Sequence, residues 1–309
     1  MKRRIFIDGG LGNQLFQFSF SHVEPKKGSK FKIELIPDLK ARKDRPFDLD
    51  FLLKYCAHLV PKNENGIHKI YPLLRKITLK LGSLGAPFRI AFARIGFRTE
   101  QNPFSYDPMD KINYSLAIGY FQNWKYVRDA WREFGSEIQV AVSKIKLDKI
   151  IVQPDVVVHF RRGDLINLVD SMGILGAEYY RSALQQIKKE AGRNLKIFGI
   201  TDDYSATLDF ARNLGITELW GPNELSTWEC LAIMSRSKYV IAANSTFSWW
   251  GGFLASEHAA KVFLPDPWFH NWPEEVGDAF YFPNCVRVKS DFITETPLIS
   301  DFDQSVLDN

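Results

Sequence analysis

Apolar and polar positions along this chain fall into blocks whose period changes. An apolar run from Arg4 to Asp8 predicts a first strand, and a glycine-rich turn follows it. Apolar spacing from Asn13 toward His22 predicts a helix, which Pro25 and Gly28 stop. Phe31 to Ile36 reads as a second strand and Asp38 to Pro46 as a polar loop. Leu73, Leu74, Ile77, Leu81 and Leu84 recur at helical spacing, but Pro72, Gly82, Gly85 and Pro87 interrupt them. Leu116 to Phe121 predicts a strand, and Lys125 to Ile145 a long amphipathic helix. The second half alternates more regularly. Strands are predicted at Asp155–Phe160, Leu195–Ile200, Lys238–Ala242 and Lys261–Leu264, with helices at Ala177–Glu190, Tyr204–Leu214, Ser226–Ser235 and Trp249–Ser256. Strand alternating with helix predicts an α/β fold with parallel sheets covered on both faces. Ligands then bind beyond the carboxyl ends of the strands.

Composition narrows this picture. With 309 residues, 45% hydrophobic and 25% charged, the chain is neither disordered nor fibrous, and it can hold one large domain or two of about 150 residues. Aromatic residues make up 14%, more than a minimal core needs, and a ligand cleft is one place for the excess. No apolar stretch is long enough to span a bilayer. The basic start meets Asp8 too early for a secretory signal. Cys56, Cys230 and Cys285 are too widely spaced for a zinc motif or a disulfide framework, which favours a reducing cytoplasm.

Charge divides the chain in two. Residues 1–150 hold 27 Lys+Arg against 15 Asp+Glu, and residues 151–309 hold 13 against 21. The asymmetry predicts two domains, 1–150 and 151–309, with different partners. The stretch 69–98 carries seven basic residues and no acid. It reads either as a solvated basic face or as a contact with anionic lipid, which would place the protein peripherally on the inner face of a membrane.

Four segments carry candidate chemistry, each just after a predicted strand. In Asp8-Gly9-Gly10-Leu11-Gly12-Asn13-Gln14-Leu15-Phe16-Gln17, glycines let the backbone approach a ligand, and the helix start offers N–H groups. Leu15 stands where a dinucleotide fingerprint needs its third glycine, so Asn13 and Gln14 read better as hydrogen-bonders for hydroxyls. In Val156 to Asp164, a buried strand delivers His159, Arg161, Arg162 and Asp164 to its carboxyl end. Two adjacent arginines there call for an anion, and a pyrophosphate suits the guanidinium fork. Successive side chains point apart, so one arginine faces the ligand and the other pairs internally, with Asp164 as one candidate. After Ile200-Thr201, one of Asp202 and Asp203 caps a helix while the other faces the cleft. Asn244 to Gly252 presents Ser245, Thr246 and Ser248 at a helix start, fit for capping or for phosphate, followed by two Trp and two Gly.

Two paired-acid tripeptides, Asp48-Leu49-Asp50 and Asp301-Phe302-Asp303, imitate a divalent-metal motif, but neither ends a convincing strand. The six histidines show no metal-ligand spacing, so no metal site is expected. No GxSxG or GxxxxGK[ST] motif is present.

Taken together, Gly9–Gln17, His159–Asp164, Thr201–Asp203 and Asn244–Gly252 resemble the α-1,2-fucosyltransferase family, glycosyltransferase family 11. All four stand in that family's order and at about its spacing. The stretch from Phe31 to Tyr120 offers little to match. The resemblance implies a GT-B architecture, two Rossmann-like domains facing across a cleft, with the donor bound by the C-terminal domain and the acceptor largely by the N-terminal one. It implies transfer of L-fucose from GDP-β-L-fucose to a sugar hydroxyl, usually O2 of galactose, with inversion and without a metal or other cofactor. The acceptor would be a galactose-containing glycan or a lipid-linked oligosaccharide.

Carried onto this chain, the resemblance gives Arg161 the β-phosphate, and His159 and Asp202 the guanine or ribose. Ser245, Thr246 and Ser248 would hold phosphate oxygens, with Gly10 and Gly12 lining the donor. Asn13 would reach the fucose or the acceptor hydroxyl. Asp164 is a candidate base only where no arginine already pairs with it. Pro25 shortens the first helix relative to the family, and Phe160 stands where a small aliphatic is usual. Other readings keep the same donor cradle: an α-1,3 or α-1,6 fucosyl linkage, or a non-catalytic sugar-binding protein on the same fold. The basic half alone suggests nucleic acid, but no binding motif accompanies it.

Overall fold

The computed structural model describes residues 2–23, 32–37, 46–56, 60–61, 96–100, 102–107, 114–163, 165 and 168–293. The first sheet is built from Lys2–Ile7 (β1), Lys32–Pro37 (β2), Val60–Pro61 (β3), Phe97–Thr99 (β4) and Leu116–Ile118 (β5), in the order β3-β2-β1-β5-β4. Every pairing in it is parallel. The second sheet comprises Val156–Phe160 (β6), Ile197–Thr201 (β8), Glu218–Trp220 (β9), Tyr239–Ile241 (β10), Lys261–Asp266 (β11) and Val286–Lys289 (β12). Its order is β12-β11-β10-β6-β8-β9, again all parallel. A separate pair joins Ile174–Leu175 (β7) antiparallel to Phe292–Ile293 (β13). All five residues of β6 are buried, as expected of a central strand covered on both faces.

Each sheet has a point where the chain reverses its direction of travel. From β1 it moves out to β2 and β3, then returns to β1's other side with β5. From β6 it moves out to β8 and β9, then returns to β6's other side with β10. Such a switch opens a crevice at the carboxyl ends of the two central strands. The glycine turn follows β1, and residues 119–123 follow β5. The His159–Gly163 segment ends β6, and Asn244–Thr246 follows β10.

The helices are Leu11–His22 (α1), Asp50–Leu53 (α2), Trp124–Ser143 (α3), Val169–Met172 (α4), Ala177–Ala191 (α5), Leu208–Asn213 (α6), Thr227–Ser235 (α7) and Thr246–Ser256 (α8). Every residue of α1 except Asn13 is buried. A helix buried on all sides needs cover on all sides, and α1 receives it from β1, α3 and α8. Phe16 lies 4.7 Å from the Trp249 ring and 5.5 Å from Trp250. Trp131 and Phe134 of α3 close on Phe253 and Trp250. One apolar cluster therefore runs through both sheets and the seam between them. The Trp pair is wholly buried. The two glycines behind it let α8 approach its neighbours: a Cβ at Gly251 would stand 2.7 Å from Met234, and one at Gly252 would stand 2.6 Å from Val262.

Most predicted elements are present with shifted ends. Helix α8 starts at Thr246 because Ser245 is its N-cap, accepting the Phe247 N–H. Helix α6 starts only at Leu208, because Asp203 accepts the Ala206 N–H and the Thr207 hydroxyl holds the Asp203 carbonyl. The short strands β3, β4, β7, β9, β12 and β13 have no counterpart in the sequence pattern. Ser226 and Glu229 cap α7 reciprocally, with Ser226 N–H donating to Glu229 at 2.8 Å. Ser226→Ala is expected to cost about 1 kcal/mol of stability, read as a lower urea midpoint at unchanged slope.

Residues 38–45 of the expected loop and 69–95 of the basic stretch lie outside the described residues. Arg98, which ends that stretch, is buried and paired with Asp107 at 2.7 Å, so it belongs to the fold and not to a basic docking face. Among the described residues no helix is long and apolar enough to cross a membrane.

Candidate active site

The two switch points meet. A Cβ on Gly12 would lie 2.4 Å from the Phe247 nitrogen and 2.5 Å from the Thr246 carbonyl carbon. The first turns of α1 and α8 are therefore in backbone contact across the seam. Neither has an acid in its first turn, and the N-cap of α1, Gly10, contributes no side-chain bond. Two helix N-termini, each carrying about half a positive charge, converge at one place. Such ends favour a negative ligand.

Asn13 sits at this junction as the incompletely buried residue of α1. Its Oδ1 accepts from Gln122 Nε2 and from the Thr246 hydroxyl, both at 2.8 Å. With the oxygen so engaged, the amide NH₂ is the group left for the cleft. Thr246 therefore holds Asn13 across the seam. Gln122 carries no mark in the sequence; its only signal is that it follows β5 as the glycine turn follows β1. Gln14 differs from expectation. Its Nε2 donates to the Gly9 and Pro46 carbonyls at 2.7 Å, and its Oε1 accepts the Asp48 N–H at 2.9 Å. It clamps backbone and has no hydrogen-bonding capacity aimed at a hydroxyl. Gln17 likewise ties Asp8 to the Gly119 carbonyl.

On the second sheet, Asp202 organises the arginine segment. Its carboxylate accepts the N–H of Arg162 at 2.8 Å and of Gly163 at 3.1 Å, and pairs with Arg161 Nε at 3.3 Å. Gly163 is needed there, since a Cβ would stand 2.8 Å from Asp202 Oδ2. The two arginines do part company. Arg162 turns inward, its guanidinium 3.5 Å above the Phe210 ring, and burial lowers its pKa. Arg161 stays partly exposed on the cleft side. Asp164 lies outside the described residues. Asp203 closes the turn that follows, accepting the Ser205 hydroxyl and the Ala206 N–H, but it does not cap the helix, whose N-cap is Thr207.

His159 is 2% exposed and its Nδ1 has no partner. Burial, reinforced by Arg161, pushes its pKa down to about 3, so the ring is neutral at neutral pH. Asn244, on the neighbouring strand end, donates to the Met172 and Gly173 carbonyls and leaves its Oδ1 unpartnered. Two adjacent strand ends thus each hold a polar atom that calls for a partner, water or a ligand group. Ser248 requires a correction: its hydroxyl is fully buried and bonds to the Ala243 and Ser245 carbonyls, beneath the helix start. Ser245 caps α8, so contact with phosphate at this end falls first to the helix N–H groups.

Two Rossmann-like sheets whose switch points face each other make the GT-B architecture, and an anion-favouring cleft between them is what a glycosyltransferase using a sugar nucleotide needs. The family model described as Glycosyl transferase family 11 matches residues 96–285. The chain is 30% identical over 283 residues to an Escherichia coli protein named Alpha-1,2-colitosyltransferase, covering 85% of this chain and 91% of that one. It is 31% identical over 292 residues to the O-antigen biosynthesis glycosyltransferase WbnK of Escherichia coli, covering 85% and 93%. The chain belongs to glycosyltransferase family 11. Among solved structures it is similar to the E. coli heptosyltransferase WaaC with ADP (TM-score 0.48, 11% identity, 94% of this chain and 93% of that one). It is also similar to the fucosyltransferase NodZ from Bradyrhizobium (TM-score 0.43, 13% identity, 82% and 92%).

Proposed function

We propose that this glycosyltransferase moves L-fucose from GDP-β-L-fucose to O2 of a galactose residue, with inversion. The observation that carries the reading is the meeting of the α1 and α8 first turns, with Arg161 and the unpartnered His159 and Asn244 atoms at the ends of the adjacent strands β6 and β10. A leaving nucleoside diphosphate gains negative charge as the glycosidic bond breaks. Arg161, held by Asp202, and the two helix N-termini supply fixed positive charge at that place, which lowers the barrier without reorganisation. Neutral His159 and the Asn244 oxygen suit uncharged donor groups such as the ribose or the base. The Asn13 NH₂, on the first sheet's side, suits a sugar hydroxyl or the transferring ring. The acceptor would be a galactose-containing glycan or a lipid-linked oligosaccharide.

The named colitosyltransferase relative favours a second reading in which the donor sugar is colitose, which is fucose without its 3-hydroxyl. The test is GDP release from GDP-fucose, GDP-colitose and GDP-mannose, in EDTA, with and without lactose. Acceptor-stimulated, EDTA-insensitive release from GDP-fucose supports the first reading, and release from GDP-colitose alone supports the second. Release from GDP-mannose alone contradicts both.

A further inference from the structure

Inverting transfer needs a group that takes the acceptor's proton. The described carboxylates near the two crevices can be sorted by what they already hold. Asp8 bonds to Gln17, and Asp202 to the arginine segment. Asp203 caps a turn, and Glu100 accepts the Tyr120 and Phe121 N–H groups. Glu224 and Glu229 accept backbone N–H groups at the start of α7 and in the turn before it. Asp48 is different. Its backbone is fixed on both sides, its N–H donating to Gln14 Oε1 and its carbonyl accepting the Trp228 indole at 2.8 Å, while no described residue bonds its carboxylate.

The position is apt. Gln14 joins Asp48 to Gly9 through a single side chain, so Asp48 lies against the glycine turn that ends in Asn13. Trp228 ties it to α7 of the second sheet, so it spans the seam. A Cβ on neighbouring Gly10 would meet nothing within 4 Å, which leaves open space at this turn.

We propose that Asp48 is the general base of the transfer. This rests on the transferase reading above. The acceptor hydroxyl oxygen bonds to the anomeric carbon while its proton passes to the Asp48 carboxylate. The bond from that carbon to the β-phosphate oxygen breaks, and its electron pair leaves with GDP. Burial raises the Asp48 pKa from 3.8 to about 6, so the group is ionised at neutral pH yet a stronger base than an exposed aspartate. Among the described residues no charged neighbour contributes to that shift. Gln14 and Trp228, which bind it, are neutral. On the packed elements, Glu229 is locked to Ser226 and Asp50 is exposed.

The test compares wild type, Asp48→Asn, Asp48→Ala and Asp164→Asn, using GDP-fucose and GDP-colitose with lactose and N-acetyllactosamine, alongside GDP calorimetry. Asp48→Asn is expected to lower kcat on the order of 10²- to 10⁴-fold. GDP affinity should stay unchanged, which excludes misfolding. The acidic limb of wild-type kcat, falling as pH drops through about 6, should vanish in the variant. Formate should restore part of the activity to Asp48→Ala, an effect that lost structure would not give. Wild-type kcat in Asp48→Asn, or an acidic limb that survives there and disappears in Asp164→Asn, would overturn the proposal. A wild type that binds no GDP overturns the transferase reading itself, a result no Asp48 variant can imitate.

Discussion

Arg161→Lys is expected to lower turnover on the order of 10²-fold, with Arg161→Ala at least as severe, because each removes a donor that acts on charge developing in the transition state. The reason that lysine does not suffice lies in the shape of the guanidinium. Arg161 presents Nε to Asp202 at 3.3 Å, and Asp202 in turn holds the backbone N–H groups of Arg162 and Gly163. A guanidinium can keep that pairing and still direct its outer nitrogens at a phosphate. A lysine ammonium has one nitrogen on a flexible stem and must choose. The loss should appear in kcat at saturating donor more than in KM, since the interaction strengthens as the bond to GDP breaks. Arg162→Lys makes the contrast. That residue stacks on Phe210, so its replacement should lower thermal stability and leave the acceptor dependence of kcat alone. Near-normal kcat in Arg161→Lys would remove the bidentate role.

The two neighbouring arginines mark how far a sequence reaches. Period-2 alternation beyond β6 was enough to separate an inward from an outward arginine, since it depends only on backbone geometry. It could not say that the inward partner is an aromatic ring on α6, 48 residues away in sequence. The central strands are legible as nearly continuous apolar runs, because strands covered on both faces are apolar at most positions. Edge strands were not. Val286–Lys289 alternates apolar and charged residues over only four positions, and Glu218–Trp220 is three residues long. Nothing local distinguishes such segments from loops; their neighbours make them strands.

The site shows the same division. Segments placed by strand ends were found where they were expected, at the two switch points. Side chains placed by distant hydrogen bonds leave no such mark in the sequence. Gln14 looks like a ligand-binding amide until Pro46 and Asp48, more than thirty residues away, are seen to occupy it. Asp48 looks like half of a metal motif that lacks its setting. Its true setting comes from Gln14 and Trp228, which lie 34 and 180 positions away in sequence. Ser248 fails for a local reason: Ser245 starts the helix three residues earlier than the apolar pattern suggests, which turns Ser248 toward the core.

The glycine turn yields the other large effect, and here two glycines should behave oppositely. In helix interiors alanine is favoured over glycine by about 1 kcal/mol, so propensity alone makes Gly12→Ala stabilising. Packing opposes this. The new methyl would stand 2.4 Å and 2.5 Å from backbone atoms of Phe247 and Thr246, which cannot rotate away. Overpacking of this kind costs about 1 to 3 kcal/mol, enough to outweigh propensity, so Gly12→Ala should lower the melting temperature. The larger consequence is functional. To relieve the contact, the first turns of α1 and α8 must separate, and the Thr246–Asn13 bond lengthens with them. A shift of about 1 Å between groups that must act together can cost on the order of 10² in rate. Gly12→Ala should therefore show a loss of kcat well beyond its loss of stability. Gly10→Ala should not. Its φ of −74° suits alanine, and its Cβ would meet nothing within 4 Å. That variant should lose only the N-cap preference for glycine over alanine, about 0.5–1 kcal/mol, and any change in rate should fall on KM, because the methyl would enter the space that the substrates need. Equal stability and equal kcat in the two variants would show that α1 and α8 do not meet as closely as the seam requires, and the shared anion site at their ends would go with it.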